Sequence, residues 1–211
     1  MPLDAWVVVF AKAPVAGRVK TRLAAEVGPE MALRVYQRMA EPLWRALLAS
    51  RAELGYGLCL AYDPPEAAAS MKAWLPGADA YLPQRPGNLG ERLAAALRWS
   101  LDQGTGRVTV IGTDCPGFTP EHLRQGFQAC DAHPFVLGPA ADGGFYALTL
   151  TPDARGLLDA LPGIPWSSPD TASSLLAAAE ALGLKGASLP ELRDLDTLAD
   201  LTFHRRAFGW G

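Results

Sequence analysis

Trp6-Val7-Val8-Val9-Phe10-Ala11-Lys12-Ala13-Pro14-Val15-Ala16-Gly17-Arg18-Val19-Lys20-Thr21-Arg22-Leu23 is the stretch from which the fold is read. Trp6 to Phe10 is an unbroken apolar run, the pattern of a strand covered on both faces. A loop of small residues follows, and small residues let a backbone come close to a ligand. Lys12, Arg18, Lys20 and Arg22 crowd this strand's carboxyl end. Four cations there can neutralise phosphate groups, and backbone N–H groups at the next helix start would add to them. Gly17 is the loop's single glycine, so this is not a dinucleotide fingerprint. No glycine directly precedes Lys20, so it is not a P-loop either. The plain alternative is a mobile loop with solvated cations.

Strand and helix patterns alternate outward from this stretch. A long helical pattern runs from about Pro29, suited to a first helical turn, to Arg51. Leu58 to Tyr62 reads as a second strand, and Glu66 to Leu75 as a helix stopped by Pro76-Gly77. Ala80 to Leu82 is a short strand, and Asn88 can cap a helix reaching Leu101. Val108 to Ile111 is the fourth strand, and Thr119-Pro120-Glu121 has the order of a helix start. Phe135 to Gly138 and Phe145 to Leu150 are further strands. Helical patterns follow at Pro152 to Ala160, Asp170 to Leu182 and Thr197 to Arg206. The spacing predicts one α/β domain over residues 1–211: a Rossmann-like, mostly parallel mixed sheet with helices on both faces. The strand at Phe145 follows its predecessor too closely for a helical crossover, so it should run antiparallel. In such sheets ligands bind beyond the carboxyl ends of the strands. Three loops meet that condition: those after Phe10, Ile111 and Gly138.

The second loop reads Gly112-Thr113-Asp114-Cys115-Pro116. A carboxylate there can hold a divalent cation, Mg²⁺ or Mn²⁺, against a nucleotide diphosphate, or simply bond its own turn. Cys115 suggests a nucleophile, with His122, His133 or His204 as base, but no nucleophile elbow surrounds it. A free cysteine more often packs as a small hydrophobe. In the third loop, Asp142-Gly143-Gly144, the glycines would admit a sugar or base and Asp142 could act as general base or hydroxyl ligand. Asp-Gly is equally a tight turn between strands. Gln84 and Arg92 flank Asn88 and carry hydrogen-bonding groups that could reach a ligand. Asp194, Asp196 and Asp200 precede His204. Asp194 or Asp196 could complete a metal site, while Asp196 or Thr197 could equally cap the last helix.

Composition excludes several classes. Apolar residues make up 49% of 211 and charged ones 19%, which is incompatible with intrinsic disorder. Net charge is −3, so no broad nucleic-acid-binding face is expected. Basic residues concentrate between Lys12 and Arg38, and acids between Glu191 and Asp200. Three cysteines without a CxxC pair suit neither a disulfide framework nor a zinc knuckle. No apolar run is long enough for a membrane span. The Ala5–Ala11 run is too short for a signal-peptide core, so a cytoplasmic protein is expected.

The motifs FAKAPVAGRVKTRLA, GTDCPG, ADGGFYAL, IPWSSPDT and LRDLDTLADL together resemble a bacterial family of nucleotide-diphospho-sugar transferase-like proteins. That family is also labelled selenodomain-associated or arsenosugar-biosynthesis glycosyltransferase. The resemblance spans nearly the whole chain. It implies a GT-A fold binding an activated nucleotide with a divalent metal, with sugar transfer to a small-molecule acceptor. It places Lys20 and Arg22 in the phosphate loop, Asp114 at the metal-binding acid and Asp142 before the paired glycines. A full D-x-D triplet would put an acid where Gly112 stands. A metal at Asp114 would therefore draw its other ligands from the nucleotide, water or C-terminal acids such as Asp196. Two alternatives remain. KTRLA also resembles phospholactate guanylyltransferases, which would make the chain a nucleotidyltransferase. The other is a non-catalytic nucleotide-binding module.

Overall fold

The computed structural model describes residues 3–208, with the side chains of 206–208 outside that description. Seven strands form one sheet: β1 (Ala5–Lys12), β2 (Tyr56–Asp63), β3 (Ala80–Pro83), β4 (Arg107–Ile111), β5 (Phe135–Pro139), β6 (Phe145–Leu150) and β7 (Ala187–Ser188), in the order 3-2-1-4-6-5-7. β1 pairs in parallel with β2 and β4, and β3 in parallel with β2. β6 alone is reversed, antiparallel to both β4 and β5, as the short connection at Asp142 requires. β7 returns in parallel to β5.

β1 is buried at nearly every position because both faces are covered. Val8 and Val110 face α4 (Leu89–Asp102) and the C-terminal half of the chain, alongside Leu97 and Leu148. Val7, Val9, Leu58 and Leu60 face the opposite layer. It holds α2 (Pro29–Leu54), α3 (Ala68–Trp74) and α5 (Pro120–Ala129). A smaller third cluster joins α1 (Thr21–Val27) and α2 to α7 (Leu198–Phe208) through Leu23, Tyr36, Leu195 and Leu201. Leu23 is fully buried, and removing such a side chain from water stabilises by about 1.5–3 kcal/mol. This cluster sits under the cation-rich loop and fixes its far end.

Several boundaries differ from the sequence pattern. The helix predicted to end at Arg51 continues to Leu54, through Pro42, and stops at Gly55 in the left-handed region. α1 was not expected; its seven residues follow the cation loop without a conventional cap. Pro152–Asp159 winds as a 3-10 helix rather than an α-helix, with Ala154, Leu157 and Leu158 turned inward. α6 covers Thr171–Ala181. α4 starts as predicted: Asn88 Oδ1 accepts from Glu91 N at 3.0 Å, and Glu91 Oε2 accepts from Asn88 N at 2.7 Å. Among the described residues no helix is long and apolar enough to cross a membrane.

Candidate active site

A cleft of about 820 Å³ opens over the carboxyl ends of β1 and β4, where the sheet order turns. Lys12, Lys20, Arg22, Gln84, Arg92, Asp114, Asp142, Gly144 and Asp196 all line it. Gly17, Arg18 and Gly143 do not lie among its lining residues.

Lys20 is the centre of the arrangement. Its side chain is only 3% exposed, and its ammonium forms ion pairs with Asp114 and, at 2.9 Å, with Asp196 Oδ1. It is therefore not one of the solvated cations of a mobile loop: the two carboxylates draw it inward. Burial lowers an ammonium's pKa, but the charges of Asp114 and Asp196 outweigh it and leave Lys20 above its ordinary value. Its backbone is left-handed, φ 47 and ψ 49, a conformation that side-chain-bearing residues seldom adopt. That twist lets the chain turn from the loop into α1 while Nζ points at the acids. Arg22, one position into α1, is exposed at the cleft.

Asp196 reaches Asp114 because the C-terminal segment is stitched across the strand ends. Leu192 N donates to Pro139 O and Ala141 N to Leu192 O; further on, Leu195 N donates to Asp114 O at 2.9 Å. α7 begins only at Leu198, so Asp196 precedes the helix and is free of its geometry. The cap belongs to Thr197 and Asp200. Asp200 Oδ2 accepts from Thr197 N and Thr197 Oγ1, while Asp200 N donates to Thr197 Oγ1. Asp200 is thereby a structural acid, further engaged by Arg193. His204 Nε2 lies 3.2 Å from Asp194 O, beneath the same segment.

The remaining acids stand close together. Asp142 Oδ1 accepts from Gly144 N at 2.8 Å, so this side chain both closes its own turn and lines the cleft. Burial, together with the neighbouring charge of Asp142, pushes Asp194 up to about 6. The cleft thus carries a compensated pair of acids at Lys20 and a partly uncompensated pair beyond it.

Gln84 and Arg92 form one unit at the other end. Gln84 Nε2 donates to Ala61 O, Arg92 Nε donates to Gly87 O, and Arg92 lies 3.6 Å from Asp63. Cys115 is pushed up by burial and by Asp114, which keeps it a thiol. The candidate bases are engaged elsewhere: His122 with Thr119, His133 with Lys185 O, and His204 with Asp194 O.

Sequence reasoning missed Tyr36. From α2 its hydroxyl accepts from Lys12 N at 2.9 Å and donates to Lys12 O at 3.0 Å, fixing the end of β1 at the cleft. An apolar-face tyrosine in a long helix gives no sequence signal of such a task. Trp166 and Ser167, from the IPWSSPDT motif, also line the cleft. Trp166 is tied by Nε1 to Leu161 O.

The family described as "Uncharacterized protein conserved in bacteria (DUF2064)" matches residues 47–168. Among solved structures, the chain is similar to a "putative nucleotide-diphospho-sugar transferase" from Desulfovibrio desulfuricans G20. Identity is 28%, coverage 99% of this chain and 90% of that one, and TM-score 0.89. It shares its fold with the 4-diphosphocytidyl-2C-methyl-D-erythritol synthase of Anaerococcus prevotii DSM 20548, at 10% identity, 99% and 100% coverage and TM-score 0.64. It also shares its fold with a manganese complex of Rv0371C from Mycobacterium tuberculosis H37Rv, at 18% identity, 99% and 100% coverage and TM-score 0.52. No curated protein sequence matches the chain.

Proposed function

The chain belongs to the DUF2064 family, and from that premise we propose that its cleft binds a nucleotide-diphosphate sugar and transfers the sugar to a small acceptor. One observation carries the reading: loop cations and four acids from three separate segments face each other over the strand ends in a single cleft. Lys12, Lys20 and Arg22 supply positive charge for a diphosphate; bonds to charged groups of this kind contribute about 1.5–3 kcal/mol each. As the sugar–phosphate bond breaks, charge grows on the leaving diphosphate, and these same cations oppose it. Asp142 would accept a proton from the acceptor hydroxyl or hold a sugar hydroxyl.

A divalent metal fits the residues present. Asp114 and Asp196 turn hard oxygen ligands toward one point, which Lys20 marks. Among the described residues no three His, Cys, Asp or Glu side chains form a ready cage, so phosphate oxygens and water would supply the rest. When bound, Mg²⁺ or Mn²⁺ would act as a Lewis acid on the diphosphate.

The second reading is nucleotidyl transfer. It is favoured by the shared fold with a cytidylyl-type synthase. Thermal-shift screening of nucleoside diphosphates, triphosphates and nucleotide sugars, each with and without Mn²⁺, separates the two. A ligand at 100 times its Kd adds about 2.7 kcal/mol, a readable rise in Tm. Diphosphate sugars should give the largest shift. Preference for triphosphates would move the assignment to nucleotidyl transfer, and no shift with any nucleotide would remove both.

A further inference from the structure

The Lys20 side chain lines the cleft yet is only 3% exposed. Its ammonium is buried between Asp114 and Asp196, whereas those carboxylates remain 56% and 39% exposed. The point at which two acids from distant parts of the chain converge is therefore already filled, from below, by a side chain of the protein itself. A divalent cation of the Mg²⁺ size class needs oxygens at about 2.0–2.1 Å. An ammonium on the Oδ1 atoms of both acids competes with it for their charge, because two cations at such range repel.

We propose that Lys20 is the resident counter-ion of the Asp114–Asp196 pair, and that it must be drawn off before a divalent cation can bind. The group that draws it off is a diphosphate, whose oxygens give the ammonium a new anionic partner. Metal and diphosphate therefore enter together: each alone meets an occupied or uncompensated site, and each raises the affinity for the other by the same factor. The left-handed backbone at Lys20 fits this role. It is a sparsely populated conformation that costs free energy, and the two ion pairs are contacts that can offset that cost, so losing them to a phosphate favours a relaxed loop. This inference rests on the metal-and-diphosphate reading above and adds an order of assembly to it.

The test measures Mn²⁺ binding to nucleotide-free protein, by the electron-paramagnetic-resonance signal of free Mn²⁺ and by calorimetry. The wild type is compared with Lys20→Met, Lys20→Gln and Lys20→Arg, each checked for folding by circular dichroism. The neutral variants should bind Mn²⁺ alone about tenfold tighter or more than the wild type, since both acids are then freed of their ammonium, while Lys20→Arg should stay weak. Lys20→Gln is the second neutral variant should Lys20→Met fail to fold. If neutral variants and wild type bind Mn²⁺ alone equally, the counter-ion role is overturned. Asp114→Asn, measured with Mn²⁺ plus nucleoside diphosphate, then tells the two failures apart. A loss of Mn²⁺ there leaves the metal site standing and removes only the role of Lys20. No loss removes the metal site and the inference with it.

Discussion

Leu195 N donates to Asp114 O at 2.9 Å, so the two acid-bearing segments of the cleft are tied together by backbone and not only by charge. Leu195 itself is fully buried in the cluster that holds Leu23 and Tyr36. One residue thus anchors the C-terminal strap to the core and to the loop after β4. Asp194 and Asp196, on either side of Leu195, are delivered to the cleft by that anchor. The segments that carry Asp114 and Asp196 are thus joined by a bond that does not involve Lys20.

Asp114→Asn keeps the side chain's shape and removes its charge. Lys20 retains Asp196, and Asp114 is half-exposed, so the stability loss should be about 1–2 kcal/mol rather than that of a fully buried pair. Nucleotide affinity in the presence of Mn²⁺ should fall strongly, while affinity in chelator should hold or improve, because an acid facing the phosphates is gone. Calorimetric titration of both proteins under both conditions checks this. An equal gain from Mn²⁺ in the two proteins would remove Asp114 from the metal site.

Cys115→Ser should keep most activity. The thiol is held protonated by burial and by Asp114, and the three histidines are spent on other partners. Alkylation of the native protein by iodoacetamide at pH 8 should be slow at this position compared with the unfolded chain. A folded Cys115→Ser variant with turnover reduced by orders of magnitude would assign the chemistry to the thiol.

The strands and most helices were legible because their signal is local. β1, β4 and β6 are apolar runs, and α4 announces itself through Asn88. α1 was not legible: seven residues cannot sustain a helix in isolation, and this one depends on burial of Leu23 and on Glu26 Oε1 accepting from Leu198 N. β7 is two residues long and exists through its pairing with β5. The site divides the same way. That Lys20 and Asp114 lie at the carboxyl ends of strands was readable from their positions in the sequence. The pairing of Lys20 with Asp196 was not, since the two are 176 residues apart and meet only through the strap's path.

Asp194 should make stability fall as pH rises from about 4 to 6. Its carboxyl is near 3.8 in a free chain and is raised to about 6 in the fold, first by burial and then by Asp142. Below pH 3.8 both states are protonated and the contribution is fully present. Between the two values the unfolded chain ionises while the folded one resists, so stability is lost until about pH 6 and then levels. Asp194→Asn lacks this titration. Urea unfolding at pH 4, 5, 6 and 7 should show the variant gaining on the wild type over that interval. Parallel curves for the two proteins would mean that Asp194 titrates as an ordinary carboxylate.

Gly143→Ala tests whether the turn beside Asp142 is held by the loop that carries Trp166. Gly143 has φ 87, a left-handed value that disfavours any side chain. A Cβ there would also strike the backbone carbonyl of Pro169, which cannot swing aside as a side chain could. Its own carbonyl accepts from Ala172 N at 2.9 Å, so the turn and the start of α6 are joined at this residue. Strain and clash together should cost about 2–4 kcal/mol. Part of that should appear as displacement of the Trp166 loop rather than as global unfolding. Gly156→Ala is the control, since a Cβ there meets nothing within 4 Å. Thermal unfolding should separate the two variants clearly. Hydrogen exchange in Gly143→Ala should show faster exchange over residues 165–172 while β1 stays protected. Equal Tm values for the two alanine variants would show that the turn and the loop are not coupled through Gly143.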